Sequence, residues 1–333
     1  MQFNDWAPEY ANGLSNHLPM AIHSLQKMQA TDQQIKRFYQ HESAKLDKLD
    51  YCATIPPIKN WQDVEPHKGQ FSHFLALRSF FSEQIDKDPQ HPIIAHFIKK
   101  LAPALSCAAF HPVIRLAHAI EAQNSDEVTN ALAYWVYAYN ELSWPDNNAQ
   151  SDHKISITIE RLLEGHPWPT GRLGSNMVTS DMQAVSEQAN FNQLSFKPDI
   201  NKIKLAEMEQ SILKLYLTTD DFTILHGVTG AFAVRIINDH FPTIEGLMLY
   251  LWQGLVTAFL SKGLTKESMQ QTRHQLENIT CYEPQEIRQL ACDSLNDHTI
   301  KLASVCLTMH QLTADKDYLL AISRKLQAEA KTS

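Results

Sequence analysis

A chain of 333 residues with 44% hydrophobic and 20% charged side chains has the composition of a folded globular protein, which excludes intrinsic disorder as its organising principle. The formal net charge is -8 and the lysines and arginines are scattered, which argues against nucleic acid or an anionic membrane surface as a partner. Five cysteines without a Cys-x-x-Cys pair fit reduced, mostly buried thiols, and the polar start from Met1 to Trp6 has no signal-peptide pattern, so a cytoplasmic location is expected.

In chain order, Ser15-Asn16 caps a first helix that runs to Met28, with Pro19 tolerated in its first turn and His17 at its start. Thr31 caps a second helix over Asp32 to Leu49, with Ile35, Phe38, Tyr39 and Leu46 inward. A proline-punctuated connection from Ile55 to Gly69 leads into a helix with an aromatic face (Phe71, Phe74, Phe80, Phe81), which Asp88-Pro89 closes. Pro92 to Lys100 forms the next helix, and Leu101 to Ala122 continues as a helix bent near Pro103 and Pro112. Ser125-Asp126-Glu127 starts a helix that Ser143-Trp144-Pro145-Asp146 stops.

Ile155 to Leu163 follows a polar stretch, and the segment from Gly165 to Pro198 is weak in periodicity and long enough to be a candidate lid. Further helices are read over Ile203 to Tyr216, Phe222 to Phe241, Leu247 to Leu260, Pro284 to Ala291, Asp297 to Leu312 and Asp317 to Ala328. The run from Leu247 is too short to span a bilayer of about 30 Å. No period-two strand pattern and no solenoid repeat is visible. The expected architecture is all-α: one bundle-like domain over residues 1–333 with a cavity between helices, in which halves 1–164 and 199–333 flank the lid at 165–198.

The chemistry concentrates on histidine. His17, His111, His226 and His298 each have apolar or small neighbours and lie on four different helices. Alone, each is more often a hydrogen-bonded core residue; meeting in space, they form an imidazole set suited to iron, zinc, copper or nickel. No His-Glu-x-x-His or Glu-x-x-His motif is present. Lys301 shares a helical face with His298 and is followed by Leu302, Ala303 and Val305. Burial would favour its neutral amine, a base, Schiff-base former or carboxylated ligand; the alternative is a lysine reaching an exposed edge.

On the Phe110 to Glu121 stretch, His111, Arg115 and His118 fall within roughly 60° of one another on a helical wheel. Arg115 and Arg235, both in apolar surroundings, call for carboxylates, with Glu121 and Asp239 as local candidates. A structural ion pair is favoured over a substrate carboxylate or phenolate. His118 fits a ligand, a hydrogen-bond partner to one, or a general base, and His73 and His96 read as rim residues. Gly227 and Gly230 allow close approach of a neighbour or ligand. Gly-x-Ser-x-Gly and Gly-x-Gly-x-x-Gly are both absent, so NADPH would bind without that fingerprint, and no flavin motif is seen.

Four short motifs in order, Asn16-His17-Leu18-Pro19-Met20-Ala21, Phe110-His111-Pro112-Val113-Ile114-Arg115-Leu116-Ala117, Leu225-His226-Gly227-Val228-Thr229-Gly230 and Asp297-His298-Thr299-Ile300-Lys301-Leu302, together with Ala131-Leu132-Ala133-Tyr134-Trp135, resemble the questin oxidase-like family. The likeness runs from the first helix nearly to the last, and the chain looks like one of the shorter bacterial members. The resemblance implies an all-helical oxidoreductase related to fungal enzymes that open anthraquinone rings by NADPH-linked, Baeyer-Villiger-type oxidation, with a small aromatic molecule as substrate. It further implies mononuclear non-haem iron held by His17, His111, His226, His298 and a modified Lys301; on that ligand set, His118 or Arg115 is expected to steady oxyanion charge. The chain departs from the family pattern at His118, where a tyrosine is expected, and at Phe232, where a second histidine can follow Thr-Gly. The competing class is a non-catalytic helical binding or scaffold protein with the histidines hydrogen-bonded in its core, and a metal-independent enzyme using Lys301 or His118 is a third.

Overall fold

The computed structural model describes residues 3–49, 57–87, 92–143, 150–151, 177–188, 191, 197–198, 204–242, 244 and 246–331. The expected element over Ile155 to Leu163, the stop at Trp144-Pro145 and most of the candidate lid lie outside these residues. In chain order the helices are α1 (Leu18–Lys27), α2 (Asp32–Ser43), α3 (Trp61–Val64), α4 (Phe74–Lys87), α5 (Pro92–Leu101), α6 (His111–Glu121), α7 (Ser125–Tyr137) and α8 (Val178–Ser186). They continue as α9 (Leu205–Thr219), α10 (Phe222–His240), α11 (Leu247–Leu260), α12 (Lys266–Leu276), α13 (Pro284–Asp293), α14 (Asp297–Thr313) and α15 (Asp317–Ala330). Among the described residues, β structure is confined to two-residue ladders, Glu9–Tyr10 against Leu14–Ser15 and Gln150–Ser151 against Lys197–Pro198, and an isolated bridge between Trp6 and Lys48. The protein is all-α, a helical bundle.

Local chemistry sets the helix starts. Thr31 accepts from the Gln34 amide while the Gln34 side chain returns to the Thr31 backbone, a reciprocal box that begins α2. Asn16 accepts from Leu18, Asp221 from Thr223 and Ile224, and Asn296 from His298 and Thr299, each satisfying amides that a helix leaves orphaned. The start of α7 is capped by Asn124, one residue before the expected Ser125.

The largest departure from expectation lies before α6. Instead of one bent helix from Leu101, the chain makes two short 3-10 turns, Ala102–Ala104 and Cys107–Phe110. Ala108, Ala109 and Phe110 have φ of 44°, 54° and 67°, a left-handed run that side chains with a Cβ seldom adopt. Pro112 consequently sits in the first turn of a new helix, where its missing N–H costs nothing, and kinks no helix.

Packing holds that turn in place. The Phe110 ring lies against Gly230 of α10 and Gly254 of α11, and a Cβ on either glycine would come within 3.1 Å and 2.7 Å of it. The neighbour admitted by Gly230 is therefore Phe110; the one at Gly227 is Leu255. Helix α1 packs on α2, α6 and α14, and α10 packs on α6, α9, α11 and α14. Four helices, α1, α6, α10 and α14, thus meet with their N-terminal ends carrying His17, His111, His226 and His298. Among the described residues no helix is long and apolar enough to cross a membrane.

Candidate metal centre

His17, His111 and His298 offer ring nitrogens that all lie within 4.8 Å of one another, and His226 adjoins them through His298. Their contacts follow one rule. His111 Nδ1 donates to the Ala108 carbonyl at 2.5 Å, His226 Nδ1 to the Phe222 carbonyl at 2.7 Å, His17 Nδ1 to Asp297 Oδ2 at 2.5 Å, and His298 Nδ1 to Asp297 Oδ1. Carbonyls and carboxylates only accept, so each Nδ1 carries the proton and each neutral ring presents a lone pair at Nε2.

These Nε2 atoms face one another: His17 and His111 at 2.7 Å, His226 and His298 at 3.1 Å. With the protons held on the outer nitrogens, neither contact has a hydrogen between its atoms. Lone pairs so opposed repel unless a cation lies among them, and outer nitrogens fixed by carboxylate and carbonyl are the usual surroundings of ligating histidines. The left-handed turn has a local purpose, since it aims the Ala108 carbonyl at His111.

Electrostatics keep the rings neutral. Burial first, against a partial restoring pull from Asp297, lowers His17 to about 4. His298 falls to about 3, and His111 and His226 fall well below the ordinary imidazole value, again chiefly through burial. Burial alone would raise Asp297, but His17, His298 and Lys301 outweigh it and hold the carboxyl well below its usual range. Lys301 is 2% exposed, and burial brings its amine down to about 8 while Asp297 and Glu42 favour the charge. It lies near enough to depress all four histidines.

The cluster forms one wall of a pocket of about 710 Å³, lined also by Glu9, Tyr10, Tyr137, Tyr139 and Phe222. That volume is in the range of small-molecule sites. Phe222 packs 4.7 Å from both the His226 and His298 rings and remains 48% exposed. Glu9 accepts from the Tyr134 and Tyr137 hydroxyls, and burial raises its carboxyl. Met177 to Ser180, within the segment expected as a lid, border the same pocket, and α8 there packs on α11. Sequence reasoning missed Glu9, and it missed Asp297 as the carboxylate that orients two histidines. Asp297 sits in a helix's first turn, where it reads as a dipole partner.

Arg115 and His118 lie elsewhere. Sharing a helical stripe with His111 does not bring His118 near it, because seven residues along a helix cover about 10 Å. Both line a second pocket, of about 630 Å³, with His23, Asp32 and Lys36. Arg115 pairs there with Glu127 of α7 at 2.9 Å, in place of the expected Glu121, and the pair is buried. Glu121 instead holds Lys27 at 2.8 and 3.0 Å. Arg235 likewise pairs with Glu209 of α9, not Asp239. His118 Nδ1 meets His23 Nδ1 at 2.9 Å, and Lys27 Nζ stands 5.2 Å over the Phe232 ring. His118 and Phe232, the two positions at which the resemblance leads one to expect other residues, therefore adjoin one cluster. His73 bonds His67, and His96 packs against Trp61 and Phe97. Among the described cysteines, Cys107, Cys292 and Cys306 are buried and Cys281 is exposed, all as free thiols.

Fold and site together define an all-helical protein with a buried imidazole cluster that could hold a metal ion, beside a pocket of about 710 Å³. The model of the questin oxidase-like family matches residues 14–306, and the chain belongs to that family. A comparison with curated proteins found no match. The family's name points to oxidoreductase chemistry.

Proposed function

We propose that the protein is an oxygenase that uses dioxygen on an aromatic, polyketide-like small molecule held in the pocket beside His17, His111, His226 and His298. The observation that carries this reading is the set of facing Nε2 atoms whose partner nitrogens are all tied to acceptors. Such a donor set fits a mononuclear transition metal, for which non-haem iron is the proposal. Lys301 is the fifth candidate donor: its neutral amine, reached near pH 8, adds to CO2 with loss of one proton to give a carbamate oxygen. A bound iron would supply the activation of dioxygen that protein side chains lack.

The chain's own groups do the remaining work. Asp297 and the Ala108 and Phe222 carbonyls hold ring protons on the outer nitrogens, which keeps the inner ones as donors. Phe222, Tyr137 and Tyr139 offer aromatic walls for a planar substrate. Glu9, which accepts from the Tyr134 and Tyr137 hydroxyls and lines the same pocket, is the acidic group available there for proton transfer with a bound substrate. Arg115 and His118 line the other pocket, so this reading gives them no role beside the four histidines. NADPH as reductant would dock without a Gly-x-Gly-x-x-Gly loop.

The test is oxygen uptake by iron-loaded protein against a panel of hydroxylated quinones and anthraquinones, with and without NADPH, and with product masses read for added oxygen. Substrate-dependent uptake that His226→Ala abolishes is expected. Uptake identical in wild type and variant would overturn the reading.

A further inference from the structure

The second pocket holds a cluster that the proposed function does not use. His118 and Glu121 stand one turn apart on α6, and His23 of α1 reaches them from across the helix interface. One ligand atom from each lies within 4.8 Å of the others. The His23 and His118 Nδ1 atoms are 2.9 Å apart. Two imidazole nitrogens on a tetrahedral zinc ion at about 2.0–2.1 Å each would be about 3.3 Å apart, so the rings need open only slightly. Beside them lies the 630 Å³ pocket, an entry route with room for further ligands.

We infer that His23, His118 and Glu121 form a second metal site, separate from the four-histidine cluster, that takes a divalent ion of the zinc class and leaves a coordination position facing the second pocket. Two histidines and one carboxylate are a common donor set for ions that keep an open position. Lys27, which occupies both Glu121 oxygens, is the competitor: its side chain is one quarter exposed and leaves the carboxylate when the ion enters. The site is consequently gated by a single charge, and removing that charge should tighten binding.

The experiment is a Zn2+ titration by calorimetry, with Co2+ absorption as the spectroscopic readout, on a chain carrying His111→Ala and His226→Ala to disable the four-histidine cluster. One equivalent should bind. Adding His118→Phe or His23→Asn should remove it, and adding Lys27→Gln should tighten it by roughly tenfold, the scale on which an altered partner of a ligand changes metal affinity. Should the cluster variant not fold, His118→Phe and His23→Asn made singly in the wild-type chain must each lower total stoichiometry by one. No binding in the cluster variant, or binding that ignores His23, His118 and Lys27, overturns the site and leaves the four-histidine reading untouched.

Discussion

Helices α1 and α6 bring histidines together twice, and the two meetings differ in how the rings are held. At one end His17 and His111 touch through Nε2, with Nδ1 tied to Asp297 and to a carbonyl. About two turns along, His23 and His118 touch through Nδ1, with Glu121 already neutralised by Lys27. The first pair is fixed by acceptors on its outer side and leaves its inner nitrogens with nothing to donate. In the second, one ring's N–H can satisfy the other's lone pair, and the carboxylate has a cation. Proximity of histidines is thus shared, and the outer hydrogen bonds set apart a preorganised ligand set from one that a resident lysine closes.

The comparison breaks most directly under acid. In the metal-free chain His17 has a folded value of about 4 against an ordinary 6.5. Between those values the unfolded chain binds the extra proton, so this contribution to stability is complete above pH 6.5 and is lost as pH falls to about 4. At about 1.4 kcal/mol per unit it amounts to ~3 kcal/mol for His17 alone. His298, His111 and His226 act in the same direction, without adding independently. Thermal melts of metal-free protein should show Tm dropping steeply below pH 6.5; a flat profile from pH 7 to 4.5 contradicts the buried neutral cluster.

Smaller changes sharpen the contrast. Asp297→Asn leaves an amide whose NH2 cannot accept from one of the two rings, and it should weaken metal binding by about 10–100-fold. Glu121→Gln, made in parallel, should leave the affinity of the four-histidine cluster unchanged. Gly254→Ala pushes a Cβ against Phe110 at 2.7 Å, and it should cost about 1–3 kcal/mol in denaturant melts. Part of that strain should reach His111 as a modest loss of metal affinity.

Much of this was legible from residues alone. Helices α1, α10, α11 and α14 follow from apolar periodicity, the first also from its Ser15-Asn16 start, and the four ligand candidates came from histidines in apolar surroundings on separate helices. The left-handed turn at Ala108 to Phe110 left no mark, because alanines carry no turn signal and tertiary packing of Phe110 between glycines imposes it. Helix α12 buries none of its residues and so lacks an apolar stripe to read. Partner choice was equally hidden: nearness in sequence pointed Arg115 to Glu121 and Arg235 to Asp239, whereas carboxylates on neighbouring helices took both. His118 was misplaced because a helical wheel discards distance along the axis.

The most direct test of the central claim is the metal content of untagged protein compared with that of the His111→Ala/His226→Ala chain, by elemental analysis after anaerobic loading with Fe2+ and gel filtration. The account predicts about one iron more per wild-type chain than per variant chain, with wild-type-like circular dichroism for both. Iron absent from the wild type, or retained equally by the variant, would contradict it.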